Sequence, residues 1–219
     1  MGTRAPATQE SGAAAVPESA PMTPPTPLLV FAGSTRAQSH NRKLAQVAAD
    51  AGRAAGAQVT HLELADFDLP LYNADLETRG TPDNARRLKE IFHAHPAWVI
   101  CSPEYNGSYT GLLKNTLDWV SSPIKGDPEW SSGTKPFAGK VVGLLSASPG
   151  ALGGLRSLSH LSPLLLNLQC WLTPKQYALS KAAEAFDDKG QLISGLAQAA
   201  VQGVVEQALH GARKLHAPD

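Results

Sequence analysis

A chain of 219 residues is long enough to bury one sizeable core, so a single domain is expected. Nineteen basic residues cancel nineteen acidic ones, which leaves no electrostatic footprint for nucleic acid or an anionic membrane, and neither partner is expected. Cys101 and Cys170 lie in separate apolar runs without C-x-x-C spacing, which argues against a disulfide framework or a metal site and fits a reducing, cytoplasmic location.

Met1 to Pro27 is rich in Ala, Pro and Thr, with four prolines between Pro21 and Pro27 and no apolar periodicity. Prolines interrupt any candidate signal core, and Arg4 is the only basic residue, a poor match to a transit peptide. The segment is expected to be a disordered arm preceding a domain over residues 28–219. No apolar run reaches the roughly 18–20 residues needed to cross a bilayer.

From Leu28 onward, short apolar runs alternate with helical patterns. LLVFAG reads as the first strand, and Asn41 to Ala55 as a helix with Leu44, Val47 and Ala48 inward. Gln58 to Leu64 alternates like a strand, and Pro70 keeps the next stretch irregular. Pro82 to His95 is a helix, Ala97 to Ser102 a strand buried on both faces, and Gly111 to Ser121 a helix. KVVGLLSAS is a further buried strand, followed by a helix over Leu155 to Leu168. An interrupted last strand precedes a closing helix over Ala197 to Lys214. This alternation predicts an α/β three-layer sandwich, flavodoxin-like, with a five-stranded parallel sheet in the order 2-1-3-4-5. Ligands of such sheets bind at the carboxyl ends of the strands, where strand order reverses.

Three loops meet that edge. Gly33 to Asn41 offers Ser34, Thr35, Ser39, Asn41 and the guanidinium of Arg36 in front of a helix whose first N–H groups favour an anion. It is neither a Walker loop nor a dinucleotide fingerprint. An alternative is that Ser39 only caps the helix and Arg36 is a solvated charge. Ser102 to Trp119 begins with Pro103 and Glu104. Tyr105 is placed to pack on a ring, and Asn106 with Gly107 can form a tight turn exposing backbone donors. Ser146 to Arg156 supplies Ser146, Ser148 and a glycine set, Gly150, Gly153 and Gly154, with Gly143 upstream, that permits close backbone approach. Either of these two loops could instead be an ordinary connection before a helix.

The ordered set G-S-x-R-x-x-S-x-N (Gly33–Asn41), P-E-Y-N-G-S (Pro103–Ser108), L-K-N-x-L-D-W (Leu113–Trp119) and S-A-S-P-G-x-x-G-G (Ser146–Gly154) resembles the NADPH-dependent FMN reductase family, which includes quinone, chromate and azo reductases. The resemblance runs from about Leu28 to the C-terminus. It implies that Ser34, Arg36, Ser39 and Asn41 hold the FMN phosphate, that Pro103 to Gly107 border the isoalloxazine, and that Ser146 to Gly150 flank its other side. It implies FMN as cofactor, NADPH or NADH as co-substrate and a small-molecule acceptor such as a quinone, azo compound or metal ion. No side chain is needed as a nucleophile, and no resident metal is expected. The competing readings are a reductase that releases reduced flavin to a partner oxygenase, and a flavodoxin-type carrier, against which the zero net charge argues.

Two further expectations concern the rest of the chain. The connection Ser121 to Lys140, bearing Trp130, is longer than the family requires and is expected at the substrate rim. Trp119 does not fit the inward stripe Leu113, Thr116, Leu117 and Val120, so it is expected to face outward and, with Tyr109, to form a homodimer contact, in a dimer or tetramer. His93, His95, His210 and His216 are read as structural or solvated. His40, inside the first loop, is singled out among the histidines.

Overall fold

The computed structural model describes residues 1–2 and 24–217. Five parallel strands, β1 (Pro27–Ala32), β2 (Gln58–Leu62), β3 (Ala97–Cys101), β4 (Val141–Ala147) and β5 (Trp171–Leu179), form one sheet in the order β2-β1-β3-β4-β5. The helices are α1 (His40–Ala54), α2 (Ala74–Glu77), α3 (Asp83–Ala94), α4 (Gly111–Ser121), α5 (Leu155–Asn167) and α6 (Gly195–Leu215). The predicted flavodoxin-like topology is the observed one.

Period-two alternation divides the sheet between two cores. Leu28, Val30 and Ala32 of β1 and Val99 of β3 face α1 and α6, while Leu29 and Phe31 with Trp98 and Ile100 face α3, α4 and α5. The second core is aromatic: Phe92 meets Phe31, Trp98 and Phe137 at ring separations of 5.3, 4.9 and 6.0 Å. Each such side chain stabilises the fold by about 1.5–3 kcal/mol through burial alone. Gly143 belongs to the first core rather than to the ligand loop, because a Cβ there would lie 2.7 Å from Val204 Cγ1 of α6.

Residues 3–23 of the expected arm lie outside the described residues. Its last two residues are structural: Pro27 opens β1, and Thr26 accepts bonds from Gln58 N and Arg213 Nε.

Two expectations are overturned. Trp119 is fully buried; its Nε1 donates to Pro70 O at 2.7 Å, and the Tyr72 ring stands edge-on to it at 5.1 Å. The irregular stretch around Pro70 folds back onto α4, where Asn115 accepts from Tyr72 N and donates to Pro70 O. A subunit contact through Trp119 therefore has no surface to use. Residues 121–140 run from the C-terminus of α4 to the start of β4, at the amino edge of the sheet, opposite the predicted ligand loops. There they lie against α3 through an Arg86–Asp127 ion pair and the packing of Trp130 on His93. They do not form a substrate rim.

Candidate functional site

All three nominated loops converge at the carboxyl edge of β1, β3 and β4. They enclose a cavity of about 230 Å³ lined by Ser34, Arg36, Ser39, His40, Asn41, Pro103, Glu104, Tyr105, Ala147, Ser148 and Pro149. A larger apolar groove, about 620 Å³, lies between β5 and α6 around Trp171, Pro174 and Gly211. It sits at the opposite edge from the strand ends where the topology reverses, so size does not make it the candidate site.

The first loop is shaped by its junction with α1. Ser39 is buried, and its Oγ accepts from Arg42 N at 3.4 Å, so it does cap the helix. The N–H groups of Thr35, His40 and Asn41 have no hydrogen-bond partner among the described residues. Ser34 Oγ accepts from Arg36 N, at 3.4 Å. The Arg36 side chain is exposed, and its guanidinium makes neither an ion pair nor a hydrogen bond among the described residues. Arg42, by contrast, is paired with Glu63 at 2.9 Å. The loop thus presents unspent N–H donors and one unpaired cation to the cavity, next to the positive end of a 15-residue helix.

The side-chain amide of Asn41 is bonded to the backbone across the site. Its Nδ2 donates to Ala147 O at 2.8 Å and its Oδ1 accepts from Ala147 N at 3.0 Å. This two-bond clasp ties the first loop to the end of β4 and commits the amide to the scaffold, although the residue also lines the cavity. Ser146 is likewise committed: fully buried, it donates to Ser102 O at 2.7 Å and stands outside the cavity lining. Gly154 is required beside it, since at φ +90° a Cβ would fall 1.9 Å from Ser146 Oγ. Of the third loop, Ala147, Ser148 and Pro149 reach the cavity and Gly150 does not; Ser148 Oγ accepts from Gly150 N at 3.2 Å.

The second loop forms a two-residue hairpin. Tyr105 and Ser108 exchange backbone bonds at 2.8 and 3.0 Å, and Asn106 and Gly107 take φ of 51° and 81°. Their N–H groups are unpartnered among the described residues, though the two residues lie beside the cavity rather than in its lining. Tyr105 is 59% exposed and free to cover a planar ligand. Glu104 does not face a ligand alone: it accepts from the Arg156 backbone N–H at 3.1 Å and pairs with its guanidinium, fixing the hairpin to the start of α5. Thr110 caps α4 and donates to Gly33 O at 2.8 Å, which joins the first two loops.

Sequence reasoning noted His40 without giving it a role. Its ring stacks on Phe186 at 6.4 Å and 6°, and its Nδ1 is shut from solvent with no hydrogen-bond partner among the described residues. Burial, then Arg36 and Lys43, hold its pKa below the ordinary histidine value. Three of the histidines read as structural or solvated are bonded within the scaffold: His95 bonds Ile91 O and Thr60 Oγ1, and His93 and His216 sit on backbone carbonyls. Both cysteines are buried free thiols, and burial pushes Cys170 up to about 12, so neither has thiolate character at neutral pH.

The donor set suits a phosphate monoester, which needs several short donors and a neutralising cation, beside a flat surface where a turn and an aromatic can meet a heterocycle. Comparison with known proteins agrees with that chemistry. Residues 26–184 match the family described as NADPH-dependent FMN reductase. The chain is 38% identical over 143 residues to an NAD(P)H-dependent FMN reductase of Pseudomonas aeruginosa, covering 64% of this chain and 72% of that one. It is 35% identical over 166 residues to a quinone reductase of Pseudomonas putida, covering 74% and 82%. Among solved structures, the flavoenzyme NAD(P)H:(acceptor) oxidoreductase of Paracoccus denitrificans superposes with a TM-score of 0.73 at 27% identity, over 86% of this chain and 98% of that one.

Proposed function

The chain belongs to the NADPH-dependent FMN reductase family, and we propose that it holds FMN in the carboxyl-edge cavity to carry electrons from NAD(P)H to a small acceptor of the quinone class. The observation that carries this reading is the convergence of unspent donors: free N–H groups at the start of α1, the unpaired Arg36 and the open Tyr105 hairpin, all on one 230 Å³ cavity. When bound, FMN would supply the two-electron redox chemistry that links NAD(P)H to the acceptor. The chain's own groups bind and orient. Ser34, Arg36 and the α1 N-terminus hold the phosphate, with Ser39 keeping that terminus in shape. Asn41 and Ser146 hold the loops in register. Pro103 to Gly107 border the ring, and the N–H groups of Asn106 and Gly107 meet its polar edge.

Azo and metal-ion acceptors fit the same open face, and an NADPH azoreductase from Bacillus is among the relatives. Assembly as a homodimer or tetramer rests on the family resemblance, now that Trp119 is spoken for; light scattering at micromolar concentration reads it directly. The functional test is anaerobic addition of NADPH to the flavin-loaded chain, followed by a benzoquinone. The expected result is bleaching of the flavin absorbance and its return on quinone addition. Flavin absorbance unmoved by either NADPH or NADH would overturn the reading.

A further inference from the structure

We propose that Arg156 is a positioning residue for the flavin ring: it holds the Tyr105–Ser108 hairpin through Glu104 and, by neutralising that carboxylate, raises the potential at which bound FMN is reduced. The inference rests on the FMN reading above and deepens it.

Arg156, the second residue of α5, meets the second loop at three points. Its backbone N–H donates to Glu104 Oε2 at 3.1 Å, and its Nε donates to Glu104 Oε1 at 2.7 Å. A terminal guanidinium nitrogen shares that Oε1. The guanidinium also underlies the turn. A Cβ built on Gly107 would lie 3.8 Å from its Cζ, Nε and Nη1 alike. No point in the guanidinium plane is that far from all three atoms at once, so Gly107 stands over the face of the group. One residue along α5, Ser157 Oγ donates to Ser102 O at 3.1 Å, so both ends of the loop are tied to the same helical turn. The unpartnered N–H groups of Asn106 and Gly107 therefore rest on a carboxylate–guanidinium pair, and their direction depends on it.

The two halves of the pair differ in exposure. The Glu104 side chain is 9% exposed and that of Arg156 61%. Glu104 is also the one acid lining the cavity among the described residues, and Arg156 is the cation bonded to it. A nearly buried carboxylate without its partner acts through a medium of low dielectric, where charges are felt more strongly than in water. Left unpaired, Glu104 would oppose the negative charge that the flavin gains on reduction and so favour the oxidised form. An unpaired Arg156 would do the reverse. A pair that only held the hairpin in shape would give no such difference of sign.

The test measures the midpoint potential of FMN bound to the full-length chain, by anaerobic reduction against a reference dye. Arg156→Gln should lower the potential and Glu104→Gln should raise it, with the double variant near the wild type. Each single shift should correspond to about a tenfold change in the ratio of affinities for reduced and oxidised FMN, about 30 mV for a two-electron couple. Arg156→Lys keeps the charge and loses the fork. It should hold the wild-type potential while weakening FMN and riboflavin alike, by about three- to tenfold. Where a variant releases its flavin, separate titrations with oxidised and reduced FMN give the same shift from the ratio of the two affinities. Single variants whose potentials move in the same direction, or stay at the wild-type value, would overturn the role of Arg156 and leave the FMN assignment standing. No FMN binding by the wild type would overturn the FMN assignment itself and this inference with it.

Discussion

The two edges of the sheet treat their polar groups differently. At the amino edge several buried and partly buried charges are spent. Lys89 is fully buried and donates to Val120 O and Ser122 O at the C-terminus of α4, and Lys140 donates to His93 O near the end of α3. Arg86 pairs with Asp127 and Lys135 with Glu129. At the carboxyl edge, Arg36, the His40 Nδ1 and the first N–H groups of α1 have no partner among the described residues. Both edges carry loops of similar polarity. What separates a stabilising loop from a binding one is which groups are left unsatisfied, since a donor already paired has little to offer a ligand.

The carboxyl edge also has paired groups, and they are the ones that hold the unpaired ones in place. The sharpest ways to break the contrast remove a spent group from each edge. The largest expected effect is at Trp119, whose burial and bond to Pro70 anchor the irregular stretch over α4. Trp119→Ala should cost about 3–5 kcal/mol, read as a fall in the urea midpoint, with the FMN affinity of the folded fraction nearly unchanged. Asn41→Leu at the carboxyl edge leaves both backbone groups of Ala147 unpaired and should cost about 2–4 kcal/mol. Because the clasp joins two binding loops, this variant should also lose FMN affinity, as measured by fluorescence titration, which Trp119→Ala should not.

A pH experiment sharpens the amino-edge half. Burial lowers the pKa of Lys89 to about 8 in the folded chain, against 10.5 for a free lysine, and Lys140 shifts in the same direction. Between those values the unfolded chain binds more protons than the native one, so unfolding free energy should rise with pH through that window. The penalty for the buried charge is present in full below pH 8 and relieved toward 10.5. Urea melts from pH 8 to 10 should show the rise in the wild type and a shallower one in Lys89→Met. Smallest of all, Ser39→Ala should cost about 1 kcal/mol of stability through loss of the α1 cap, with a modest drop in FMN affinity.

Most of the architecture is readable in the sequence, because the run Ala97–Cys101 and the alternating faces of β1 leave few alternatives to a parallel sheet between helices. The three binding loops are readable for a related reason: topology sends the ends of β1, β3 and β4 to one place. What stayed hidden depends on long-range pairing. Asn41 meets Ala147 across 106 residues and Ser146 meets Ser102 across 44, so an inventory of side-chain donors around a loop cannot tell which are already taken. Trp119 looked outward on its own helix because the stretch that covers it, around Pro70 and Tyr72, has no periodicity to announce that it packs. The position of residues 121–140 follows from chain direction: a connection leaving a helix after β3 returns to the amino edge, whatever its composition.

The central claim is that the first loop holds a phosphate. Arg36 is the cavity's unpaired cation, and charge-assisted contacts are roughly twice as strong as neutral ones. The direct test compares FMN and riboflavin affinities of the wild type and Arg36→Ala. The expected result is a loss of about 1.5–3 kcal/mol for FMN, ten- to a hundred-and-fifty-fold, with a far smaller change for riboflavin. Equal losses for the two ligands, or no loss for either, would contradict the assignment of this loop to the phosphate.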